Sequence, residues 1–255
     1  MHKFFTPKEN FIDSKAKILG DDVKHLYKVL RLNEGDKIVL NNCEGEEFLS
    51  TIETISKQEV IVSIDEKLKI NNESRIKIYL FQGLPKAQKM DLIVQKGTEL
   101  GIIEFIPTIT ERVDIKLKGE FKKLDRLNRI ALEAAKQSKR TVIPKVVSPI
   151  SFMEAIDKLK TMDLIIVPYE NAEDFGIKTL FRKLNNELED NILNITDIGI
   201  LVGPEGGFEE EEISKLKDSG AYIVTLGKRI LRTETAGFVC ASLVNYELGD
   251  LGGKW

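Results

Sequence analysis

The sequence predicts a two-part α/β protein, in which a small β-barrel precedes a larger domain built on a mostly parallel sheet. Residues 3–69 alternate apolar and polar side chains in short runs separated by Gly or Asn, a pattern typical of antiparallel strands. After residue 75, continuous apolar runs alternate with longer amphipathic segments, which indicates a parallel sheet covered on both faces. The chain has 255 residues, enough for two domains that each bury a core.

The first part contains three clear strands and one helix. The strands are predicted over residues 37–42, 43–55 and 58–68. A helix is predicted over 21–32 (DDVKHLYKVLRL), behind an Asp cap, because its apolar residues recur at helical spacing. That apolar stripe consists of Val23, Leu26, Val29 and Leu30. The polar segment 69–75 marks a boundary, so domains are expected at 1–72 and 73–255.

The second part alternates strands and helices. Strands are predicted over residues 76–84, 102–110, 163–170, 198–204 and 221–227. Helices are predicted over residues 89–101, 123–138, 151–160, 209–220 and 233–249. Residues 184–194 (LNNELEDNILN) are rich in Asn and Glu, which predicts an exposed connection.

Composition excludes several classes of protein. Hydrophobic residues make up 42% and charged residues 31%, as in ordinary globular domains. No apolar run approaches the ~18 residues of a membrane helix and the N-terminus lacks a signal-peptide core, so a cytoplasmic protein is expected. Cys43 and Cys240 are the only cysteines, and neither a disulfide framework nor a metal site is predicted. The net charge of −3 argues against a protein that coats nucleic acid through its overall positive charge. Residues 84–146 are locally basic, however, and could bind phosphate groups.

Three predicted strands end in unusual loops, at 203–207 (GPEGG), 227–229 (GKR) and 169–170 (YE). Ligands of open α/β sheets bind beyond the carboxyl ends of the strands. The first loop lacks the GK[ST] ending of a phosphate loop and is not GxGxxG. Glutamates 209–212 follow it and would repel an anion at the helix start, so a neutral or cationic ligand is expected. A turn that only closes the fold is the alternative.

The second loop, 226–237 (LGKRILRTETAG), places two arginines, two threonines and a glutamate before the last helix. Thr233, Glu234 and Thr235 are the residue types that cap a helix start. Capping leaves Arg232 unexplained, which favours a functional role for this arginine.

These motifs resemble a known family. The pair LVGPEGGFEEEEI (201–213) and LGKRILRTETA (226–236) is similar to the signature of the bacterial ribosomal RNA uridine-N3 methyltransferases of the SPOUT superfamily. The resemblance continues at residues 25–38, 84–101 and 133–144. It implies a PUA-like N-terminal barrel that binds RNA, a SPOUT methyltransferase domain with a trefoil knot, S-adenosyl-L-methionine as cofactor and a homodimer with the active site near the subunit interface.

The resemblance also implies which residues line the cofactor pocket, and the acidic surroundings agree with a cationic sulfonium. They are Leu201, Val202, Gly203, Pro204, Glu205, Gly206, Gly207, Leu226, Gly227, Ile230, Leu231, Arg232, Thr235 and Ala236. The sequence departs from the family at Glu209, where Ser, Thr or Asp is usual, so a weaker helix cap is expected there. It also departs at Ala87-Gln88, where the family has Gly-Asp, and at His2-Lys3, where it has arginines.

The implied reaction is methyl transfer to N3 of a specific uridine in 16S ribosomal RNA. The imide proton must leave, and a guanidinium near O2 or O4 would stabilise the developing charge. Arg232 and Arg140 are the candidates, with Glu234 as proton acceptor or arginine anchor. A helix cap is the alternative for Glu234, and a phosphate contact or a salt bridge is the alternative for Arg140.

RNA contacts are expected from basic and polar side chains of both domains. The candidates are His25, Lys28, Arg31, Lys86, Lys89, Gln137 and Arg140, with Arg126, Arg129 and Lys136 neutralising the backbone. A packed histidine and solvated lysines are the alternatives. Two other functions stay open: ribose 2′-O methylation by the same fold, and an RNA-binding module without catalysis, which would not bind the cofactor. Small residues on the last helix (Ala236, Gly237, Cys240, Ala241) suit either a dimer contact or packing on their own sheet.

Overall fold

The computed structural model describes residues 1–69, 72–113, 121–172 and 175–253; Ile70 and Asn71, inside the predicted boundary segment, lie outside this description. The chain forms two compact units. The first consists of Met1–Glu73 together with Ala135–Ile143. The later segment joins it because Thr141 O accepts a hydrogen bond from Asn41 Nδ2 and Val142 bridges to Glu44. The sequence-based division at 72/73 assigned 135–143 to the second domain.

The first unit is built on a six-stranded sheet. Its strands are β1 (Lys3–Phe5), β2 (Phe11–Ile12), β3 (Lys15–Leu19), β4 (Lys37–Asn41), β5 (Glu47–Ile55) and β6 (Glu59–Leu68). The order is β1-β4-β5-β6-β3-β2, and all pairs except β1 with β4 are antiparallel. Alternate apolar residues such as Ile38, Leu40, Val60 and Val62 are fully buried on one face. The three predicted strands are confirmed.

The predicted helix in this unit differs from expectation at both ends. It is a short α1 (Asp21–Lys24) that continues as a π-helix over His25–Val29. Gly20, not an Asp side chain, occupies the N-cap position. Val23 and Leu26 are buried as predicted, but Val29 is 66% exposed, because the wider π turn takes it off the 3.6-residue stripe.

The second unit contains a parallel sheet. Its strands are β7 (Lys77–Gly83), β8 (Ile102–Ile109), β9 (Lys145–Val146), β10 (Ile150–Ser151), β11 (Leu164–Pro168), β12 (Asp197–Val202) and β13 (Tyr222–Val224). The order is β10-β8-β7-β12-β11-β13, with β9 beside β8. Every pair is parallel, so the predicted sheet is confirmed.

Helices cover both faces of this sheet, as the continuous apolar strands required. They are α2 (Lys89–Glu99), α3 (Leu124–Gln137), α4 (Phe152–Leu159), α5 (Ile177–Leu188), α6 (Glu210–Asp218) and α7 (Thr233–Leu248). One hydrophobic core joins α2, α3, α5 and α7 to the sheet, and a second joins α4 and α6 to it. In the described part of the chain, no helix has the length and apolar character needed to cross a membrane.

The exposed connection predicted over 184–194 is confirmed only in its second half. Residues up to Leu188 belong to α5, and a 3₁₀ helix follows over Glu189–Asn194. Ile177, Leu180, Phe181 and Leu184 are buried, and their i, i+3, i+4, i+7 spacing forms the apolar stripe of α5. The polar outer face of this helix carries the Asn and Glu residues that looked like a loop.

The small residues of α7 pack on their own sheet. Cys240 and Ala241 are completely buried in the core, and a Cβ added at Gly237 would lie 3.7 Å from Leu80 and Gln82 side-chain atoms. Three of the four small residues, Gly237, Cys240 and Ala241, are therefore packed internally, and a dimer contact stays a prediction. Cys43 and Cys240 are both free thiols.

Candidate functional site

A cavity of about 320 Å³ opens at the carboxyl ends of β11 and β12. A smaller space of about 60 Å³ adjoins it and shares Pro168, Glu170, Ile230, Leu231 and Ala236 as walls. The walls come from the three loops that the sequence singled out, after β11, β12 and β13. The volume falls at the lower end of the range for small-molecule sites.

Most of the predicted cofactor residues line these two spaces. They are Val202, Gly203, Pro204, Glu205, Gly207, Leu226, Gly227, Ile230, Leu231, Arg232 and Ala236. Leu201 lies instead in the core beneath, fully buried, and neither Gly206 nor Thr235 is among the lining residues. Eight lining residues were not among those predicted: Lys89, Pro168, Tyr169, Glu170, Phe208, Thr225, Arg229 and Thr233.

Thr233 connects the two glycine-containing loops. Its Oγ1 donates a hydrogen bond to Gly203 O at 2.5 Å and accepts one from Gln82 Nε2 at 2.7 Å. The sequence assigned Thr233 only to helix capping, yet Arg232 is the N-cap residue and no side chain caps α7. The hydroxyl therefore fixes the start of α7 against the loop after β12.

The loop after β12 is a tight turn that requires glycine. Gly207 N donates to Pro204 O at 2.9 Å, and Gly207 has φ +72°, where other residues are strained. A Cβ at Gly206 would lie 3.0 Å from Arg112 Cβ. The two glycines thus serve a positive φ and a close approach of the chain.

The acidic run after this turn is used structurally. Glu209 is the N-cap residue of α6, and its N–H donates to Glu212 Oε2 at 3.0 Å. Its carboxylate binds Arg112 through two hydrogen bonds of 2.6 and 2.9 Å. Buried Glu212 also accepts the N–H of Glu111 at 3.0 Å. The helix start is therefore well satisfied, contrary to the weaker cap expected from the departure at Glu209.

Lys89 bridges two carboxylates at the cavity wall. Its Nζ lies 2.8 Å from Glu205 Oε1 and 3.6 Å from Glu234 Oε2. Burial alone would raise the pKa of Glu205, but hydrogen bonds from Lys89 and from backbone N–H groups outweigh it, and the net shift of the pKa is downward. The hydrogen bond to Glu205 raises the pKa of Lys89. Lys89, predicted as an RNA contact, is placed in the cavity.

Glu234 presents an incompletely satisfied carboxylate. The residue is 9% exposed, and within the described structure its Oε2 has no hydrogen-bond partner. Buried polar atoms are normally paired. The nearby Lys89 ammonium provides a counter-charge, and Glu234 lies beside the cavity without being one of its lining residues.

Arg232 is an exposed residue of the cavity wall. Among the described residues, no carboxylate lies within ion-pair distance of its guanidinium, unlike that of Arg112 or Arg126. A guanidinium without a carboxylate partner at the rim of a cavity can bind the oxygen atoms of a substrate.

Arg140 has a different environment from the one predicted. It belongs to the first unit and is 4% exposed. Its Nη2 donates to Glu73 Oε2 at 2.6 Å, and Glu73 also accepts the N–H groups of Thr141 and Val142. The salt bridge that the sequence left open is the role that the structure shows, and Arg140 does not line the cavity.

The other RNA candidates lie on exposed surfaces. In the first unit, exposed His25 contacts Phe4 edge-on, and exposed Lys28 lies over the Tyr27 ring at 5.7 Å. Exposed Arg31 follows with φ +54°, a backbone conformation that favours glycine. Other candidates are exposed (Lys86, Gln137, Arg129) or paired, as Lys136 is with Asp22 and Arg126 with Asp91.

These residues fit a small cationic ligand with hydrogen-bonding groups. Backbone groups of the glycine turn are accessible because glycines form it, and Glu170, Glu205 and Glu234 supply negative charge close by. Val202, Phe208, Leu231 and Ala236 supply an apolar surface for a flat ring. S-adenosyl-L-methionine has these features: a sulfonium, a ribose and an adenine.

Comparisons with known proteins identify the family. A family model described as RNA methyltransferase domain matches residues 72–245, and one described as RNA methyltransferase PUA domain matches residues 18–65. Ribosomal RNA small subunit methyltransferase E of Bacillus subtilis is 37% identical over 92% of this chain and 91% of its own length.

Two solved structures share the fold over their full length. Ribosomal RNA small subunit methyltransferase E from Neisseria gonorrhoeae, bound to S-adenosyl methionine, has a TM-score of 0.80 at 29% identity and covers 98% of this chain and 99% of its own. A putative methyltransferase from Legionella pneumophila, in complex with the same cofactor, has a TM-score of 0.78 at 30% identity and covers 98% of both chains. The chain therefore belongs to the RNA methyltransferase family, with a PUA domain and a methyltransferase domain, that includes ribosomal RNA small subunit methyltransferase E.

Proposed function

We propose that this protein transfers a methyl group from S-adenosyl-L-methionine to N3 of a specific uridine in small-subunit ribosomal RNA. The observation that carries the proposal is the cavity at the ends of β11 and β12, with Arg232 at its wall and no carboxylate of the described residues within ion-pair distance of this arginine. The family assignment supports the reaction class, and the two neighbours solved with the cofactor support the ligand.

The cofactor, when bound, supplies an electrophilic methyl group on a cationic sulfur. The glycine turn and the apolar wall residues orient it, which contributes to the rate by positioning. The uracil N3 proton must leave before or during methyl transfer, and we assign Glu234 as its acceptor, because its Oε2 has no hydrogen-bond partner among the described residues. Arg232 then stabilises the negative charge that develops on O2 or O4.

Lys89 holds Glu234 in place for this role. Its ammonium lies 3.6 Å from Glu234 Oε2 and 2.8 Å from Glu205 Oε1, which ties the start of α7 to the glycine turn. Arg140 has no part in this mechanism, because its guanidinium is buried against Glu73.

RNA binding is assigned to exposed side chains of the two units. His25, Lys28 and Arg31 lie on or just after the π-helix of the PUA-like unit, and Lys86 and Gln137 are also exposed. The target uridine must present its Watson–Crick edge, so we expect it in a single-stranded or opened region.

The sharpest test compares Arg232→Ala with Arg182→Ala, an exposed arginine of α5 outside the cavity. We expect Arg232→Ala to abolish methyl transfer to small-subunit RNA while circular dichroism stays unchanged, and Arg182→Ala to retain wild-type turnover. Near-wild-type turnover of Arg232→Ala would remove this residue from the mechanism. Calorimetry on the wild type supplies a second test, since a purely RNA-binding module would not bind the cofactor.

The target base can be established independently. Mapping of modified nucleosides in ribosomal RNA from a strain that lacks the gene should show the loss of one N3-methyluridine. Loss of a 2′-O-methyl group instead would replace the proposed reaction by ribose methylation.

We also propose the SPOUT trefoil knot and a homodimer, as the family resemblance implies, and a functional division near residues 72 and 73, as the polar segment 69–75 indicates. The family assignment supports the knot. Force spectroscopy should give an unfolded length shorter than that of a linear 255-residue chain. Sedimentation that shows only monomer at micromolar concentration would contradict the dimer.

A further inference from the structure

The segment after β8 is attached to the glycine turn by side-chain and backbone hydrogen bonds. Arg112 Nη1 donates to Gly206 O at 2.9 Å. The same guanidinium uses Nε and Nη2 to bind the two carboxylate oxygens of Glu209. One arginine therefore joins both ends of the segment from Gly206 to Glu209, in the fork geometry that only a guanidinium provides.

A second connection reinforces the first. Glu212 is buried, and its two oxygens accept the N–H of Glu111 and the N–H of Glu209, both at 3.0 Å. The hydrogen bond from Arg112 to Glu209 raises the pKa of the arginine and lowers that of the glutamate, so both stay charged at neutral pH.

The groups that make these hydrogen bonds do not line the cavity themselves. The glycine turn, which they hold in place, does line it. Gly203, Pro204, Glu205 and Gly207 form part of its wall, whereas Arg112 and Glu209 do not. The turn between Pro204 and Gly207 has one internal backbone hydrogen bond. The contacts from Arg112 therefore limit the conformations that the turn can adopt before a ligand binds.

We infer that Arg112 is a positioning residue for cofactor binding, which acts by holding the glycine turn in its binding-competent conformation through Gly206 and Glu209. This inference rests on the proposed cofactor site. Loss of the clamp reduces the competent fraction of the turn, and the apparent dissociation constant rises in inverse proportion to that fraction. The pair itself is about half exposed, so its direct effect on global stability is small.

The experiment uses Arg112→Ala and a matched control, Arg75→Ala. Arg75 lies in the same unit and also binds backbone carbonyl groups, those of Leu193 and Ile195 at 3.0 and 3.1 Å. Calorimetric titration with S-adenosyl-L-methionine should show about a tenfold rise in Kd for Arg112→Ala and less than about a twofold change for Arg75→Ala. At saturating cofactor, kcat of Arg112→Ala should return to near the wild-type value, so the effect appears in KM.

A readout without cofactor separates this inference from the proposed function. Amide hydrogen exchange over residues 203–209 in the free protein should be about tenfold faster in Arg112→Ala and unchanged in Arg75→Ala. The exchange rate of Arg112→Lys should lie between those of the wild type and Arg112→Ala, because an ammonium cannot bind Gly206 O and both Glu209 oxygens together. Should Arg112→Ala not fold, Arg112→Lys and Glu209→Ala provide the same comparison.

Unchanged exchange and unchanged Kd in the folded variants would overturn the positioning role. An equal weakening by Arg75→Ala would also overturn it, because the effect would then be general destabilisation. A wild-type protein that fails to bind the cofactor would refute the proposed function, while the exchange measurement would still decide whether Arg112 orders the turn.

Discussion

Replacement of Glu73 by Ala tests whether the Arg140 region is structural. Glu73 Oε2 accepts Arg140 Nε at 3.1 Å and Nη2 at 2.6 Å, and its Oε1 accepts the N–H groups of Thr141 and Val142 at 2.8 and 3.1 Å. The Arg140 and Glu73 side chains are only 5% and 16% exposed. Removal of one partner of such a pair leaves a buried charge and costs about 3–5 kcal/mol. We expect about 3 kcal/mol here, because the residual exposure of Glu73 lets water reach the guanidinium.

The assay is urea unfolding followed by hydrogen exchange of amides in β5 and β6, which report on the first unit. With a slope of about 2 kcal/mol per molar urea, the midpoint should fall by about 1.5 M. Glu73→Gln retains a hydrogen-bond acceptor, so its urea midpoint should fall by less. A midpoint within about 0.3 M of the wild type for Glu73→Ala would refute the reasoning. The reasoning would also be refuted if Arg140→Ala lost methyl transfer while a folded Glu73→Ala kept it.

The same ion pair predicts a pH dependence. Burial alone would raise the pKa of Glu73. The hydrogen bonds and charge of Arg140, with the N–H groups of Val142 and Thr141, outweigh burial, so the pKa of Glu73 lies below its ordinary value of 4.5. A group with a depressed folded-state pKa stabilises the fold above its unfolded pKa, and this contribution is lost as pH falls through the folded value. The first unit should therefore lose stability below about pH 4.5, and Glu73→Gln should flatten that loss in acid titrations.

Three further substitutions follow from the geometry. Gly207→Ala introduces a Cβ at φ +72° and 3.2 Å from Glu170 Oε1, so strain of about 1–2 kcal/mol should weaken cofactor binding in calorimetry; an unchanged Kd would contradict the turn geometry. Arg31→Gly relieves a positive φ, so the free energy of unfolding should stay equal or rise by up to about 1 kcal/mol. The same substitution should weaken RNA binding in a filter-binding assay, and an unchanged RNA affinity would exclude Arg31 as a contact. Leu184→Ala removes a side chain that is 5% exposed and should lower the free energy of unfolding by about 2–5 kcal/mol in urea, whereas an effect below about 1 kcal/mol would argue that α5 ends earlier.

Periodic segments were predictable from the sequence, and contacts between distant residues were not. Five strands of the parallel sheet, β7, β8, β11, β12 and β13, were identified by continuous apolar runs, and the glycine turn by composition, whereas the two-residue strands β9 and β10 were missed. The end of α5 was missed because the polar face of the helix carries Asn185 and Asn186 in succession. A window of sequence shows the composition of that stretch but does not show that Leu184 is covered by a neighbouring element.

The missed residues of the site share one property, which is that their partners lie far away in the chain. Arg112 binds Glu209, 97 positions later, and Thr233 reaches Gly203, 30 positions earlier. For Arg140 the sequence left a salt bridge open but could not name its partner, Glu73, which lies 67 positions earlier. No local pattern encodes these pairings, because each depends on which strands become neighbours.

The order of the parallel sheet constrains when the site can form during synthesis. β7 lies between β8 and β12, so an inner strand completed early in translation waits for a neighbour more than a hundred residues downstream. Pairings of such wide sequence separation are slow to form. A nascent chain that has not yet released β12 from the ribosome has half of β7 unpaired and lacks the glycine turn altogether. The enzyme therefore acquires its cofactor pocket only after β12, β13 and the start of α7 have left the ribosome.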